Sequence, residues 1–117
     1  WITSINENYD WQAANDPCTI ELGTGWRIPT KTEWLYADSI GGWDNIGEAY
    51  ASVLKLHAAG NLDYNNGSLL NRGTIGDYWS STQYNSIGGS NLTFYSSGSF
   101  MNILNKANGF SLRCLRD

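Results

Sequence analysis

From Tyr78 to Asn105 the chain reads YWSSTQYNSIGGSNLTFYSSGSFMNILN and carries no Asp, Glu, Lys, Arg or His. No other feature restricts the fold as much. The stretch is mostly Ser, Asn, Gly, Tyr and Thr with apolar residues spaced between them, and it reads as strands. Leu92 and Phe94 alternate with Asn91, Thr93 and Tyr95. If the first pair faces the core, the other three face outward. Ser97-Gly98 marks a turn. Phe100 continues the inward set, while Met101, Ile103 and Leu104 place apolar residues on both faces. Soluble surfaces normally mix charges of both signs. The stretch is therefore either a recognition surface or a Ser/Asn-rich β-region with no partner. Antibody contact loops use the same residue types, with Tyr supplying area at low entropy cost and Ser, Gly and Asn supplying adaptable hydrogen bonds.

The rest of the chain supplies a scaffold. Its 117 residues suffice for a single domain with one core, 1–117. Trp1 to Ser4 reads as a short edge strand. Asp16-Pro17 marks a turn and Gly23 to Gly25 a break. Trp26 to Pro29 is an extended lead into a helix, with Thr30 as N-cap and Glu33 three residues on. Gly41-Gly42 ends that helix. A second helix starts near Asp44. Its apolar residues Ile46, Ala49, Tyr50, Val53 and Leu54 recur at helical spacing, and Ala58-Ala59-Gly60 closes it. Asn65-Asn66-Gly67 joins a small hairpin. Tyr78 to Ser81 is a strand, and Phe110, Leu112 and Cys114 alternate in a final one. Two helices followed by short antiparallel strands make an α+β fold.

Composition narrows function by exclusion. A net charge of −4 argues against nucleic acid or anionic membrane as the main partner. No apolar run approaches the ~20 residues of a membrane span. The abrupt start on Trp1 reads as a fragment or mature form. Cys18 and Cys114 are either two free thiols or one bridge, which would close a loop of roughly a hundred residues and add ~4.7 kcal/mol. Two Cys and the single His57 do not make a structural zinc set. His57 has no nucleophile motif beside it and reads as a surface or helix-end histidine. No catalytic residue, metal or cofactor is assigned.

Several blocks, taken together and in order, carry a resemblance. Asp16-Pro17-Cys18, Gly25 to Thr30 followed by Glu33-Trp34, Tyr78 to Thr82, and Gly109 to Asp117 resemble the FISUMP family of bacterial paralogous domains. The resemblance covers nearly the whole chain. It implies a C-type-lectin-like fold in the C-terminal part of a longer protein, and a Cys18–Cys114 staple. Asn61 to Asn108 also resembles the variable region of target proteins of diversity-generating retroelements, which display mutable residues on such a scaffold. In those systems adenine-directed mutation of Asn codons reaches Asn, Ser, Thr, Ile, Tyr and Leu but never Lys, Glu, Gln, Met or Trp. Between Gly60 and Asn105 the chain has neither Lys nor Glu.

The expectation is a non-enzymatic display domain that binds protein or glycan on a cell surface. Its location would be extracellular, on a bacterial cell surface or a phage virion. The ligand face would comprise Tyr64, Asn65, Tyr84, Ile87, Asn91, Thr93, Tyr95, Met101, Asn102, Ile103 and Asn105. An invariant structural or adhesin-type module is the alternative. A formylglycine-generating-enzyme-like enzyme is the remote one, since such enzymes are longer and need an active-site cysteine pair. Trp43-Asp44-Asn45 resembles the calcium tripeptide of sugar-binding C-type lectins but lies between the helices, so Asp44 reads as a helix cap. Asn91-Leu92-Thr93 matches a glycosylation acceptor.

Overall fold

The computed structural model describes residues 6–117, so the expected strand at Trp1 to Ser4 lies outside the described residues. The fold is α+β. Helix α1 spans Pro17–Leu22, β1 Trp26–Arg27, α2 Lys31–Gly41 and α3 Ile46–Ala51. The strands β2 (Asn61–Leu62), β3 (Leu69–Leu70), β4 (Gly76–Gln83), β5 (Gly88–Tyr95), β6 (Gly98–Asn105) and β7 (Leu115–Arg116) follow. They form a three-stranded sheet in the order β4-β5-β6 and two-stranded pairs β1-β7 and β2-β3, all antiparallel.

Local chemistry explains the helices. Thr30 caps α2 by accepting from Glu33 N, and Glu33 reaches back to Thr30 N at 2.8 Å, the expected capping box. Gly42 ends α2 in the left-handed region at φ 58, where a side chain would be strained. Three expectations are corrected. Asp16-Pro17 opens a helix rather than only a turn, because Asp16 Oδ1 accepts from Cys18 N and Thr19 N while Pro17 occupies the first turn. Helix α3 is capped by Asn45, whose Oδ1 accepts from Glu48 N at 3.0 Å, not by Asp44. That helix also stops at Ala51 instead of running on to Ala58, and Val53 is 95% exposed.

The core gathers Trp34, Trp43, Ala49, Leu56, Tyr78, Leu92 and Phe94 between the helices and one face of the sheet. Leu92 and Phe94 are fully buried, as the alternation predicts. Gly76 is required beside them, since a Cβ there would meet the Phe94 ring at 2.2 Å. Trp34 Nε1 donates to the Trp79 carbonyl at 3.2 Å, which ties α2 to β4. Met101 packs on this core, whereas Phe100 sits on the opposite face, 42% exposed and paired in register with Thr93. Sequence assigned Phe100 inward. The two-residue period puts it on the other side once Met101 fills the core position.

The termini are closed covalently. Cys18 and Cys114 form a disulfide across a sequence separation of 96. Buried Asp16 reinforces it, with Oδ2 accepting from Ile28 N at 2.9 Å, so one carboxylate joins α1 to the segment before α2. Asp117 and Glu33 both bond Arg27. The expected final strand from Phe110 to Cys114 is reduced to a single bridge of Ser111 to Tyr78, with regular pairing only at Leu115–Arg116. Among the described residues no helix is long and apolar enough to cross a membrane.

Candidate functional site

Three turns meet at one end of the main sheet. In the β4–β5 turn, Asn85 Oδ1 accepts from Ile87 N at 2.9 Å and Gly88 N at 2.7 Å, a side chain standing in for a backbone turn. Tyr84 and Ile87 are left 65% and 67% exposed. Lys106 N donates to the Ile87 carbonyl, which ties this turn to the one after β6. There Asn105 Oδ1 accepts from Ala107 N, and Asn108 Oδ1 accepts from Tyr64 N in the β2–β3 hairpin. Ile103 lies against Gly88, where an added Cβ would come 3.0 Å from its Cγ2 and 3.7 Å from Tyr84 Cδ1. The tip therefore brings together Tyr64, Asn65, Tyr84, Ile87, Ile103 and Asn105 from the expected ligand face.

The other expected residues are elsewhere. Asn91 and Thr93 are buried, contrary to the outward reading. Thr93 Oγ1 donates to Asp77 Oδ1 at 2.6 Å, and Asn91 Nδ2 donates to the same oxygen at 3.0 Å and to Thr93 Oγ1 at 2.9 Å. The physical reason is position: on β5, the central strand, Thr93 stands between Asp77 and Phe100 and Asn91 between Trp79 and Asn102, so cross-strand side chains flank both. Burial raises the Asp77 carboxyl above its ordinary range, opposed by the hydrogen bonds from Thr93 and Asn91. With its amide nitrogen engaged and its side chain sealed, Asn91 is closed to glycosylation in the folded chain. Met101 is a core neighbour. Asn102 is half-buried and accepts from its own following amide, Ile103 N. Tyr95 sits at the far end of β5 against Phe100, with ring centroids 6.0 Å apart. Seven strand steps from Gly88 put it roughly 23 Å from the tip.

Sequence reasoning missed the wall beside the tip. The segment before α1 runs along the end of β4: Trp11 N donates to the Ser81 carbonyl at 3.0 Å, and Gln83 N to Asp10 Oδ1 at 2.7 Å. It encloses a cleft of roughly 520 Å³ with Tyr9, Trp11, Gln83 and Lys106 in its lining. A second cleft of roughly 240 Å³ shares Trp11, Gln83 and Lys106 and adds Trp79, Asn108 and Phe110. The Trp79 and Phe110 rings pack with centroids 4.4 Å apart. Burial lowers the Lys106 ammonium pKa, opposed by the charge of Glu7. The available signal was Trp11 and Phe110 flanking the strands, but only the tertiary fold places them together. Aromatic faces with convergent amides suit binding. Cys18 and Cys114 are both consumed by the disulfide, so neither is a free thiol.

Comparison with known proteins gives no match: no family model, no curated protein and no solved structure is significantly similar to the chain.

Proposed function

We propose that this chain is a non-enzymatic binding domain of C-type-lectin-like fold, akin to the FISUMP domains, and that its turn-built tip recognises protein or glycan on a cell surface. The observation that carries the reading is the exposure of Tyr84, Ile87 and Ile103 together at a tip that the core does not use. Contiguous exposed apolar residues mark interaction sites, and aromatic anchors carry most interface energy. The Cys18–Cys114 bridge fits an oxidising, extracellular setting on a bacterial surface or virion.

Within this reading the chain is the diversified protein of a diversity-generating retroelement, with mutable positions confined to the tip. Sequencing the gene across a source population tests it. Codons for Tyr64, Asn65, Tyr84, Ile87, Ile103 and Asn105 are expected to vary, while those for Asn91 and Thr93 stay constant because their side chains hold Asp77. Uniform tip codons would leave an invariant surface module. Variation as frequent at Asn91 and Thr93 as at the tip would overturn the assignment of the tip.

A further inference from the structure

The chain is acidic overall, at net −4, yet the charged side chains that line one cleft, Lys55, Arg72 and Arg113, are all basic. Lys55, His57, Arg72 and Arg113 converge on an open hollow of roughly 930 Å³ whose lining contains no Asp or Glu. The loop after α3 supplies Lys55 and His57, the turn after β3 supplies Arg72, and the segment after the Ser111 bridge supplies Arg113. These pieces are fastened to one another. Gly73 N donates to the Ala58 carbonyl at 2.7 Å, and His57 N to the Tyr78 hydroxyl at 2.9 Å. Lys55 itself is held at φ 51, an uncommon conformation for a non-glycine residue.

Arg113 is the unusual member. One of its terminal nitrogens bonds the Leu54 carbonyl, and its Nε is sealed from solvent with no acceptor. Among the described residues the ion pairs all belong to Arg27, so Lys55, Arg72 and Arg113 lack a carboxylate partner. A concave site lined by one sign of charge concentrates the opposite charge within it, and guanidinium groups match planar or tetrahedral oxyanions. Ile46, Tyr50 and Leu112 complete the lining; Lys55 Nζ lies 5.9 Å from the centroid of the Tyr50 ring and His57 packs edge-on against it, and Tyr50 remains half exposed.

We propose that this cleft binds an anionic saccharide, its ring laid on Tyr50 and its acidic group held by Lys55, Arg72 and Arg113. The hollow is far larger than a bare oxyanion needs. The protein's net negative charge opposes a dense polyanion, so a sparsely charged sugar fits better than a nucleic acid. This site is separate from the tip and does not depend on what the tip binds.

The test is amide-resolved NMR titration of the chain with uronate trisaccharides (galacturonate and glucuronate) and a sulfated trisaccharide. A neutral galactose trisaccharide, inorganic phosphate and a short DNA oligonucleotide are run in parallel. At least one acidic trisaccharide should shift amides of Lys55 to Ala59, Arg72-Gly73 and Ser111 to Arg113, and bind at least tenfold tighter than the neutral one. Lys55→Ala, Arg72→Ala and Tyr50→Ala, all at exposed positions, should each weaken it about tenfold without altering the folded spectrum, while Tyr84→Ala leaves it unchanged. Equal binding of neutral sugar, shifts confined to the tip, or no response to any acidic trisaccharide overturns the proposal. Phosphate alone binding as tightly, or a preference for DNA, overturns the saccharide assignment.

Discussion

Thr93→Val separates a structural residue from a display residue. The substitution keeps the shape and removes one hydroxyl, which donates to Asp77 Oδ1 at 2.6 Å and accepts from Asn91 Nδ2 at 2.9 Å. A hydrogen bond to a charged group contributes roughly 1.5–3 kcal/mol, and a buried donor left unpaired costs a further ~1 kcal/mol. Loss of about 2–4 kcal/mol at pH 7 follows, a large part of the ~5–15 kcal/mol of a whole domain. With a urea m value of roughly 1.5 kcal/mol/M, the midpoint falls by about 1.3–2.7 M. The effect is also pH-dependent. Asp77 titrates above its ordinary 3.8 because burial opposes its charge. Stability tied to a raised carboxyl is complete below the unfolded value and is lost as pH rises through the folded one. Removing the Thr93 hydroxyl raises the folded value further, so the variant loses more on the way to neutrality. At pH 3, with Asp77 protonated in both states, the deficit shrinks to about 1 kcal/mol, the worth of a neutral hydrogen bond. Urea unfolding at both pH values, followed by Trp fluorescence, measures this. A cost under about 0.5 kcal/mol at pH 7, or one equal at both pH values, refutes the buried network and returns Thr93 to the surface.

Replacing Cys18 and Cys114 together by Ala opens a loop of sequence separation 96, and the chain-entropy model puts the loss at ~4.7 kcal/mol. At roughly 4 °C per kcal/mol this lowers Tm by about 19 °C in calorimetry; a drop below about 5 °C contradicts it. Glu33 is held near a pKa of about 2, mainly by its bonds to Arg27 and secondarily by those from Thr30, against desolvation. A depressed carboxylate adds stability that is present above its ordinary 4.5 and is lost as pH falls toward 2. Arg27→Met should flatten the urea midpoint across that window. The change should not exceed about 1 kcal/mol, because both side chains are partly exposed and solvent screens the pair. An unchanged acid profile would show that Arg27 does not set the Glu33 titration.

What the sequence determined by itself was local. Thr30 and Glu33 complete a capping box within one helical turn, Gly42 supplies a left-handed end, and Asn65-Asn66-Gly67 closes the small hairpin, each within a few residues of chain. Alternation in β5 likewise sorted Leu92 and Phe94 from Asn91 and Thr93. Periodicity separates two faces but does not say whether the second one meets water. That depended on β5 taking the middle place in the β4-β5-β6 sheet, which alternation within one strand does not reveal. The absence of charge from Gly88 to Phe94 consequently reflects burial, where an unpaired charge is costly, and exposed apolar side chains of the same stretch gather at Tyr84, Ile87 and Ile103. The tip was legible in Tyr84, Ile87 and Ile103 as residue types. Its joining to Tyr64 and Asn108, its separation from Tyr95, and the gathering of Lys55, Arg72 and Arg113 around one hollow were decided by tertiary structure. Long-range hydrogen bonds and one disulfide set those distances, and no short window of sequence contains both partners of any of them.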